Sequence, residues 1–131
     1  MAKESGLGMT CAIDDSGGTA RAISNDITDL QIGTPNNLQD ITGLDKSAIE
    51  RLILLADGQV SVTCVFNDAS VSSFAVFKVR TGTRTVTIVH SGQTLAMEMV
   101  ISACDMNRQS DGSFIITATL ELQSGTSPTW A

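Results

Sequence analysis

The residues from Phe114 to Leu122, FIITATLEL, alternate between apolar and polar side chains more regularly than any other stretch of this chain. Successive side chains of a strand point to opposite faces of the sheet, so the pattern predicts a strand with one buried face. Gln59 to Asn67 alternates in the same way. The side chains expected on the buried faces are Phe114, Ile116, Ala118, Leu120 and Leu122, and Val60, Val62, Cys64 and Phe66.

Turn signals separate further short runs of strand-like sequence. The segments DSGG at 15–18, SGQ at 91–93 and DG at 111–112 are typical of turns and hairpins. Additional strands are predicted at Met9–Asp14, Thr19–Ile23, Ile27–Ile32, Arg84–His90 and Thr94–Cys104. The segment Ser70–Val79 fits either a short helix or a strand. This spacing predicts a mainly β fold, either a β-sandwich or a partly closed barrel.

One segment, Asp40 to Gly58, carries a helix signature, and a flanking α-helix is predicted at about residues 43–57. Thr42 is a candidate N-cap with Asp45 three residues on, and Gly58 suits the stop position. Apolar side chains recur at helical spacing at Leu44, Ala48, Leu52, Leu55 and Ala56, and Ile49 and Ile53 widen the stripe. As part of a helix packed on the sheet, Leu52 should not tolerate a charge in the folded protein, whereas a charge at Ile49 should leave the fold intact.

The length of 131 residues predicts a single domain spanning residues 1–131. Residues 1–8 are small, polar and rich in glycine, and are expected to form a flexible N-terminal arm. Gly33–Asn37, GTPNN, is expected to be an exposed loop. There is no internal repeat and no low-complexity linker in the sequence.

The net negative charge of the chain argues against a protein that binds nucleic acid tightly. Acidic residues outnumber basic residues by 14 to 8, giving a net charge of −6. Strong binding to DNA requires many cations on one face. Lys78, Arg80 and Arg84 form the closest cluster, which is either a local basic patch or, as strand-edge charges often are, a solvated edge. The other basic residues are Lys3, Arg21, Lys46, Arg51 and Arg108.

The spacing of the cysteines and the distribution of apolar residues indicate in which compartment the protein is made. Cys11, Cys64 and Cys104 form no CxxC pair, so a structural zinc site is not expected. Cys64 alternates with apolar neighbours and is predicted to be a small buried hydrophobe. The N-terminus has no apolar run of signal-peptide length, and no stretch reaches the roughly 20 apolar residues of a membrane span. A reducing cytoplasm is the expected place of synthesis.

Recognisable catalytic patterns are missing from the sequence. The single histidine, His90, is expected to be an exposed turn residue, although it could serve as a general base. Asp14 and Asp15 adjoin a turn sequence, which explains them without catalysis or calcium binding. Asp105–Asp111 lacks the alternating oxygen ligands of a calcium loop. We therefore predict no enzyme activity, no catalytic residues, no cofactor-binding residues, no cofactor and no metal site.

The ordered set of segments along the chain resembles the major tail (tail tube) proteins of long-tailed, non-contractile bacteriophages, in particular the short type found in phages of actinobacteria. The resemblance runs nearly from end to end. The segments that carry it are AKESGLGM at 2–9, AIDDSGGTARAISNDIT at 12–28, DITGLDKSAIERLILLADG at 40–58, VFNDA at 65–69, AVFKV at 75–79, RTVTI at 84–88 and SGTSPTW at 124–130.

The resemblance implies a β-sandwich or barrel-like body with one flanking helix. It further implies that six copies close into a ring and that rings stack into a hollow tube. Such a tube is built around a tape measure protein, meets tail terminator and tail-tip proteins, and carries genomic DNA without binding it specifically. Assembly would take place in the host cytoplasm, without a membrane partner. The loop at 33–38, the N-terminal arm and the C-terminal tail would lie at subunit or ring contacts. Part of the helix would lie there too, so a charge at Ile49 should block ring assembly.

The acidic composition fits a conduit for DNA. The DNA duplex carries about one charge per 1.7 Å of axis, so a basic wall would hold it by counterion release. The lumen is therefore expected to be net negative. Two other functions remain open: a capsid decoration or head–tail joining protein, and a small hydrolase that uses His90 with an acidic partner.

Overall fold

A computed structural model describes residues 3–131, so Met1 and Ala2 of the predicted N-terminal arm lie outside the described residues. The described residues are mainly β, as the sequence predicts, with antiparallel sheets and one short helix that does not coincide with the predicted one. The elements are β1 Thr10–Asp14, β2 Ala20–Ala22, β3 Ile27–Gly33, β4 Asn36–Asp40, β5 Arg51–Ala56, β6 Gln59–Val65, α1 Ser73–Phe77, β7 Thr83–His90, β8 Gln93–Arg108 and β9 Phe114–Leu122. Residues 3–131 contain no other helix, and α1, with five residues, is far too short to cross a membrane.

Seven strands form one sheet in the order β2-β1-β7-β8-β9-β6-β3, and the sheet is not closed into a barrel. The 16-residue strand β8 is long enough to pair with β7 along its first half and with β9 along its second half. A register shift between Ile101 and Ala103 interrupts its pairing with β9. Bulges of this kind bend a strand and increase its twist. The long strand therefore joins the two halves of the sheet.

The alternating residues of β6 and β9 form the centre of the core, as predicted. Ile116, Ala118 and Leu120 are buried opposite Cys64, Val62 and Val60 of the neighbouring strand. Inward-facing side chains of β1, β7 and β8 complete the same cluster. Burying one such aliphatic side chain stabilises the fold by about 1.5–3 kcal/mol relative to leaving it exposed. The period-two pattern thus marks the strands whose alternate residues enter this core.

The hairpin predicted at residues 91–93 is a two-residue turn between β7 and β8. His90 pairs with Gln93, which leaves Ser91 and Gly92 at the tip. Both residues have positive φ angles, 53° for Ser91 and 77° for Gly92. Two successive positive φ values match the twist of the flanking strands, and glycine adopts them without steric cost.

The helix predicted at residues 43–57 is not formed. Residues 36–56 instead make a β-hairpin in which β4 and β5 are joined by a loop at 41–50. Thr42 is not an N-cap. Its hydroxyl accepts a hydrogen bond from the Glu50 N–H at 2.9 Å, which connects the two ends of the loop. The uninterrupted run from Leu52 to Leu55 satisfies a helical period and a strand equally well, which explains the error.

Gly58 does not end a helix but allows a close approach of two other segments. A side chain at this position would lie 3.2 Å from Cγ of Pro128 and 3.3 Å from Sδ of Met97. Its carbonyl accepts a hydrogen bond from the Leu122 N–H. Any other residue here would press its Cβ against Pro128 and Met97 and force them to shift by a few tenths of an ångström. The position of Gly58 after an apolar run therefore only resembles a helix stop.

The actual helix, α1, lies in the segment that the sequence left ambiguous. Val76 and Phe77 are buried in the core. The buried carboxylate of Asp26 accepts hydrogen bonds from the N–H of Ser73 at 3.2 Å and from Nδ2 of Asn67 at 3.1 Å. These contacts fix the beginning of the helix to the segment that precedes β3.

Arg84 fixes the other end of the helix, and it belongs to neither a basic patch nor a solvated edge. Its side chain is completely buried. Nη1 donates to the carbonyls of Asp14 at 3.0 Å and Val76 at 2.8 Å, and Nη2 donates to those of Val79 and Thr81. Burial lowers the pKa of the guanidinium, and nearby acidic side chains oppose this shift. A single cation therefore ties together β1, α1 and the loop that follows α1.

Candidate assembly surface

The hairpin formed by residues 36–56, here called the hairpin arm, is a two-stranded sheet apart from the main sheet. Its strands pair only with each other among the described residues. The register sets Leu38 opposite Ile53 and Asp40 opposite Arg51. At the base, the Asp57 N–H donates to the Pro35 carbonyl at 2.9 Å. The predicted contact loop at 33–38 therefore includes the end of β3 and the first residues of β4, and it connects the arm to the body.

The hairpin arm exposes apolar side chains on both of its faces. Ile53 is 65% exposed and Leu55 is 80% exposed, while their neighbours Leu52 and Leu54 are close to half exposed. Leu38, Ile41, Leu44 and Ile49 add to the same surface. An isolated two-stranded hairpin is marginally stable in water, and a continuous exposed apolar patch is typical of an interaction surface. The arm therefore has the properties of a contact element rather than those of a solvated loop.

Polar contacts fix the conformation at the tip of the arm. Asp40 Oδ1 accepts hydrogen bonds from the hydroxyl of Thr42 at 2.6 Å and from its N–H at 3.0 Å, and these bonds lower the pKa of the Asp40 carboxyl. The Ile41 N–H donates to the Glu50 carbonyl at 3.0 Å. These hydrogen bonds define the conformation of the tip within the isolated chain.

A cleft of about 510 Å³ separates the base of the arm from the C-terminal segment. Residues 53–57 line one side, and residues 125–127 line the other side. The chain then returns to the main sheet, where Thr94 and Ala131 exchange two backbone hydrogen bonds of 2.8 and 2.9 Å. The predicted contact regions near residue 35 and at the C-terminal tail therefore lie together at one end of the subunit.

The acidic groups considered for chemistry act as turn residues in the structure. The Asp15 carboxylate accepts hydrogen bonds from the N–H groups of Thr19 and Gly17 and from Nε of Arg21. The bonds from Thr19 and Arg21 are the main reason that the pKa of Asp15 is lowered. Asp111 is held in the same way by Ser113, which lowers the pKa of its carboxyl. Residues 3–131 contain no cluster of three or more His, Cys, Asp or Glu suited to a metal ion.

His90 lies at the end of β7, beside the two-residue turn, as the sequence predicts. It is half-buried rather than exposed, and its Nδ1 has no hydrogen-bond partner within residues 3–131. The hairpin arm carries no histidine or cysteine.

The cysteines are packing residues inside the body. Cys11 and Cys64 are buried, which confirms the prediction for Cys64, and Cys104 is half-buried. Burial raises the pKa of the Cys11 thiol to about 11 and that of Cys64 to about 12. Burial also raises the pKa of Cys104. Because the thiolate is the reactive form, all three side chains should react slowly near neutral pH.

We expect iodoacetamide at pH 8 to modify Cys11 and Cys64 at least tenfold more slowly in the folded protein than after denaturation, because few of these thiols are ionised and little of their surface is accessible. Mass spectrometry of the modified peptides measures this ratio. Cys104 serves as the internal comparison, since it is partly accessible. Rapid modification of Cys64 in the folded protein would contradict the buried position of that side chain.

Comparisons with known proteins support the fold. No family model matches the sequence, and no curated protein matches it. The structure is similar to a chain in the tail of an empty GTA particle, obtained by helical refinement with C6 symmetry. The TM-score is 0.77, the sequence identity is 14%, and the match covers 98% of this chain and 99% of that chain. The chain has the fold of a phage-type tail protein.

Two further structures agree with this assignment. A chain in the virion of a native gene transfer agent (GTA) particle gives a TM-score of 0.75 at 13% identity, with 98% of this chain and 99% of that chain covered. A chain in the six-fold symmetrised baseplate of the anti-feeding prophage gives 0.62 at 13% identity, with coverages of 100% and 97%. The predicted relationship to tail proteins is thus supported at the level of fold, and the actinobacteriophage type stays a prediction.

Proposed function

We propose that this chain is a structural subunit of a phage-type tail, in which six copies form a ring and the rings stack into a hollow tube for genomic DNA. The hairpin arm is the observation that carries the proposal. It presents apolar side chains on both faces, and no other part of the described chain covers them. An element of this kind is stable when neighbouring subunits bury it.

The symmetry of the similar structures supports a ring of six. The GTA tail is described with C6 symmetry, and the anti-feeding prophage baseplate is six-fold symmetrised. A ring requires one surface of each subunit to contact a different surface of the next, and stacking requires a further pair of surfaces. The arm can contribute to either contact, because its two faces point in opposite directions.

The proposed location is the virion tail, after assembly in the host cytoplasm. The proposed partners are other copies of the chain, a tape measure protein, a tail terminator and tail-tip proteins. DNA would pass through the lumen without specific binding. We propose no catalytic role, no cofactor and no metal for this subunit.

Purified protein examined by sedimentation velocity and negative-stain electron microscopy over a range of concentrations tests the proposal. We expect rings and stacked tubes of uniform diameter to form as the concentration rises. Single rings that never stack would favour a head–tail joining protein, and trimers would favour a capsid decoration protein. Persistent monomers at concentrations where tail proteins assemble would contradict the proposed function.

A further inference from the structure

The second strand of the hairpin arm is joined to β6 by an Asp-Gly sequence, Asp57–Gly58. Asp57 is exposed, and its N–H donates to the Pro35 carbonyl at the base of the arm. Gly58 is buried, and its carbonyl accepts a hydrogen bond of 2.9 Å from the Leu122 N–H in the body. The peptide bond between Asp57 and Gly58 therefore lies on the boundary between the arm and the main sheet.

The main-chain nitrogen of Gly58 is held against the side chain of the residue before it. It donates a hydrogen bond of 2.8 Å to Oδ1 of Asp57, and this N–H makes no other hydrogen bond within residues 3–131. The nitrogen therefore lies next to the carboxyl carbon, Cγ, which is bonded to Oδ1. Reactions are accelerated when the reacting atoms are already held close together. Glycine adds to this effect, because it has no side chain to obstruct the closure of a five-membered ring.

We propose that Asp57–Gly58 is a site of spontaneous modification, at which Asp57 is converted to isoaspartate through a cyclic imide. The Gly58 nitrogen forms a bond to Cγ of the protonated carboxyl group, and the carboxyl hydroxyl leaves as water with the amide proton. Water then opens the ring. Attack at Cγ restores aspartate, whereas attack at the main-chain carbonyl of Asp57 breaks its bond to the Gly58 nitrogen and leaves the chain linked through Cγ. The reaction needs only water, and its chemistry does not depend on the proposed function.

Isoaspartate lengthens the main chain by one methylene group between the hydrogen bond at the base of the arm and the one in the body. On the body side, Gly58 is followed by the buried residue Val60, which pairs with the buried residue Leu120. On the arm side, the bond from Asp57 to Pro35 belongs to an exposed residue. Exposed segments open at a lower free energy than the core. The modification should therefore release the base of the hairpin arm and leave the main sheet intact.

The other Asp-Gly sequence of the chain, Asp111–Gly112, provides an internal comparison. No other aspartate in the chain is followed by glycine. The Gly112 N–H donates to the Gln109 carbonyl at 3.0 Å, and the Asp111 carboxylate accepts hydrogen bonds from the N–H and the hydroxyl of Ser113. The nitrogen and the carboxyl group thus have different partners. Both Asp111 and Gly112 are exposed, so a modification controlled by exposure alone would favour Asp111.

Incubation of the folded protein at neutral pH and physiological temperature, followed by peptide mapping with electron-transfer dissociation, measures isoaspartate at both sites. We expect at least about fivefold more isoaspartate at Asp57 than at Asp111, because only Asp57 has its carboxyl group held against the attacking nitrogen. In guanidinium chloride, where the folded geometry is lost, the two amounts should be nearly equal. Asp57→Glu is the matched control, because it keeps the charge but requires a less favourable six-membered ring. The modification at position 57 should then disappear while that at Asp111 is unchanged.

An amount at Asp57 equal to or lower than that at Asp111 in the folded protein would overturn the proposal. The absence of isoaspartate from Asp57 in the folded protein, at times when the denatured chain has accumulated it, would overturn it as well. Hydrogen exchange of the modified and unmodified forms, separated by chromatography, measures the effect on the arm. Faster exchange confined to residues 36–57 is expected, and equally fast exchange in β6 and β9 would contradict the release of the arm alone. These outcomes can be read from the monomer, whether or not it assembles into tubes.

Discussion

Replacement of Leu55 by Glu is expected to abolish assembly while leaving the subunit folded. Leu55 is 80% exposed in the isolated chain. The variant should therefore keep its free energy of unfolding to within about 0.5 kcal/mol, as is usual for surface substitutions. In an assembly that covers the hairpin arm, loss of the buried leucine costs about 1.5–3 kcal/mol per contact. Burial of an unpaired carboxylate adds a further cost.

The expected consequence is an association constant at least tenfold lower for each contact, since about 1.4 kcal/mol corresponds to a factor of ten. Repeated around a ring and along a tube, such a loss should leave only monomers at concentrations that assemble the unaltered chain. Sedimentation velocity measures the assembly, and thermal denaturation followed by circular dichroism measures the folding. The matched control is Val71→Glu, an exposed apolar residue outside the arm.

Normal tubes from Leu55→Glu would show that the arm is not a contact element. The same experiment at Leu52 corrects the expectation based on a helix. Leu52 is 48% exposed on the arm rather than packed under a helix, so Leu52→Glu should also fold. A charge at Ile49 is still expected to weaken assembly, because Ile49 belongs to the exposed apolar surface of the arm.

Replacement of Arg84 by Met is expected to produce the largest loss of stability among single substitutions of charged residues. The substitution removes the donors that serve the carbonyls of Asp14, Val76, Val79 and Thr81. An unsatisfied buried acceptor costs roughly 1–3 kcal/mol, so with partial relaxation the free energy of unfolding should fall by about 2–4 kcal/mol. This loss corresponds to a decrease in Tm of about 10 °C in a domain of this size.

Urea denaturation followed by circular dichroism measures the effect. Arg84→Lys should lose less stability than Arg84→Met, because an ammonium group keeps the charge but cannot reach all four carbonyls in the fixed geometry of a guanidinium. Arg80→Met is the matched control at an exposed site nearby and should change the stability by less than about 0.5 kcal/mol. An equal loss of stability for Arg84→Met and Arg80→Met would contradict the role of Arg84 in holding β1, α1 and the following loop together.

The alternating strands were predictable because each has one side in the core and one side in solvent. β9 begins and ends at the predicted residues, Phe114 and Leu122, and β6 differs from its prediction only at its C-terminal end. β8 continues four residues beyond the predicted Cys104, to Arg108. The extension was missed because the bulge after Ile101 breaks the alternation on which the prediction relied.

The hairpin arm could not be predicted by the same reasoning. Neither face of its two strands is buried within the subunit. Their sequences therefore need not alternate between apolar and polar residues. Leu52 to Leu55 form a continuous apolar run, and such a run fits a helical stripe as readily as a strand. The missed signal was the concentration of large apolar residues in one segment, which is typical of a contact surface regardless of its secondary structure.

The sequence by itself determined the strand-rich fold, the two-residue turn at Ser91 and Gly92, and the excess of carboxylates over cations. These properties depend on local geometry and composition, which neighbouring residues along the chain decide. Only the tertiary structure revealed the buried position of Arg84 and the exposure of the hairpin arm. Both depend on which distant segments pack together, because the burial of a side chain is a property of the folded chain.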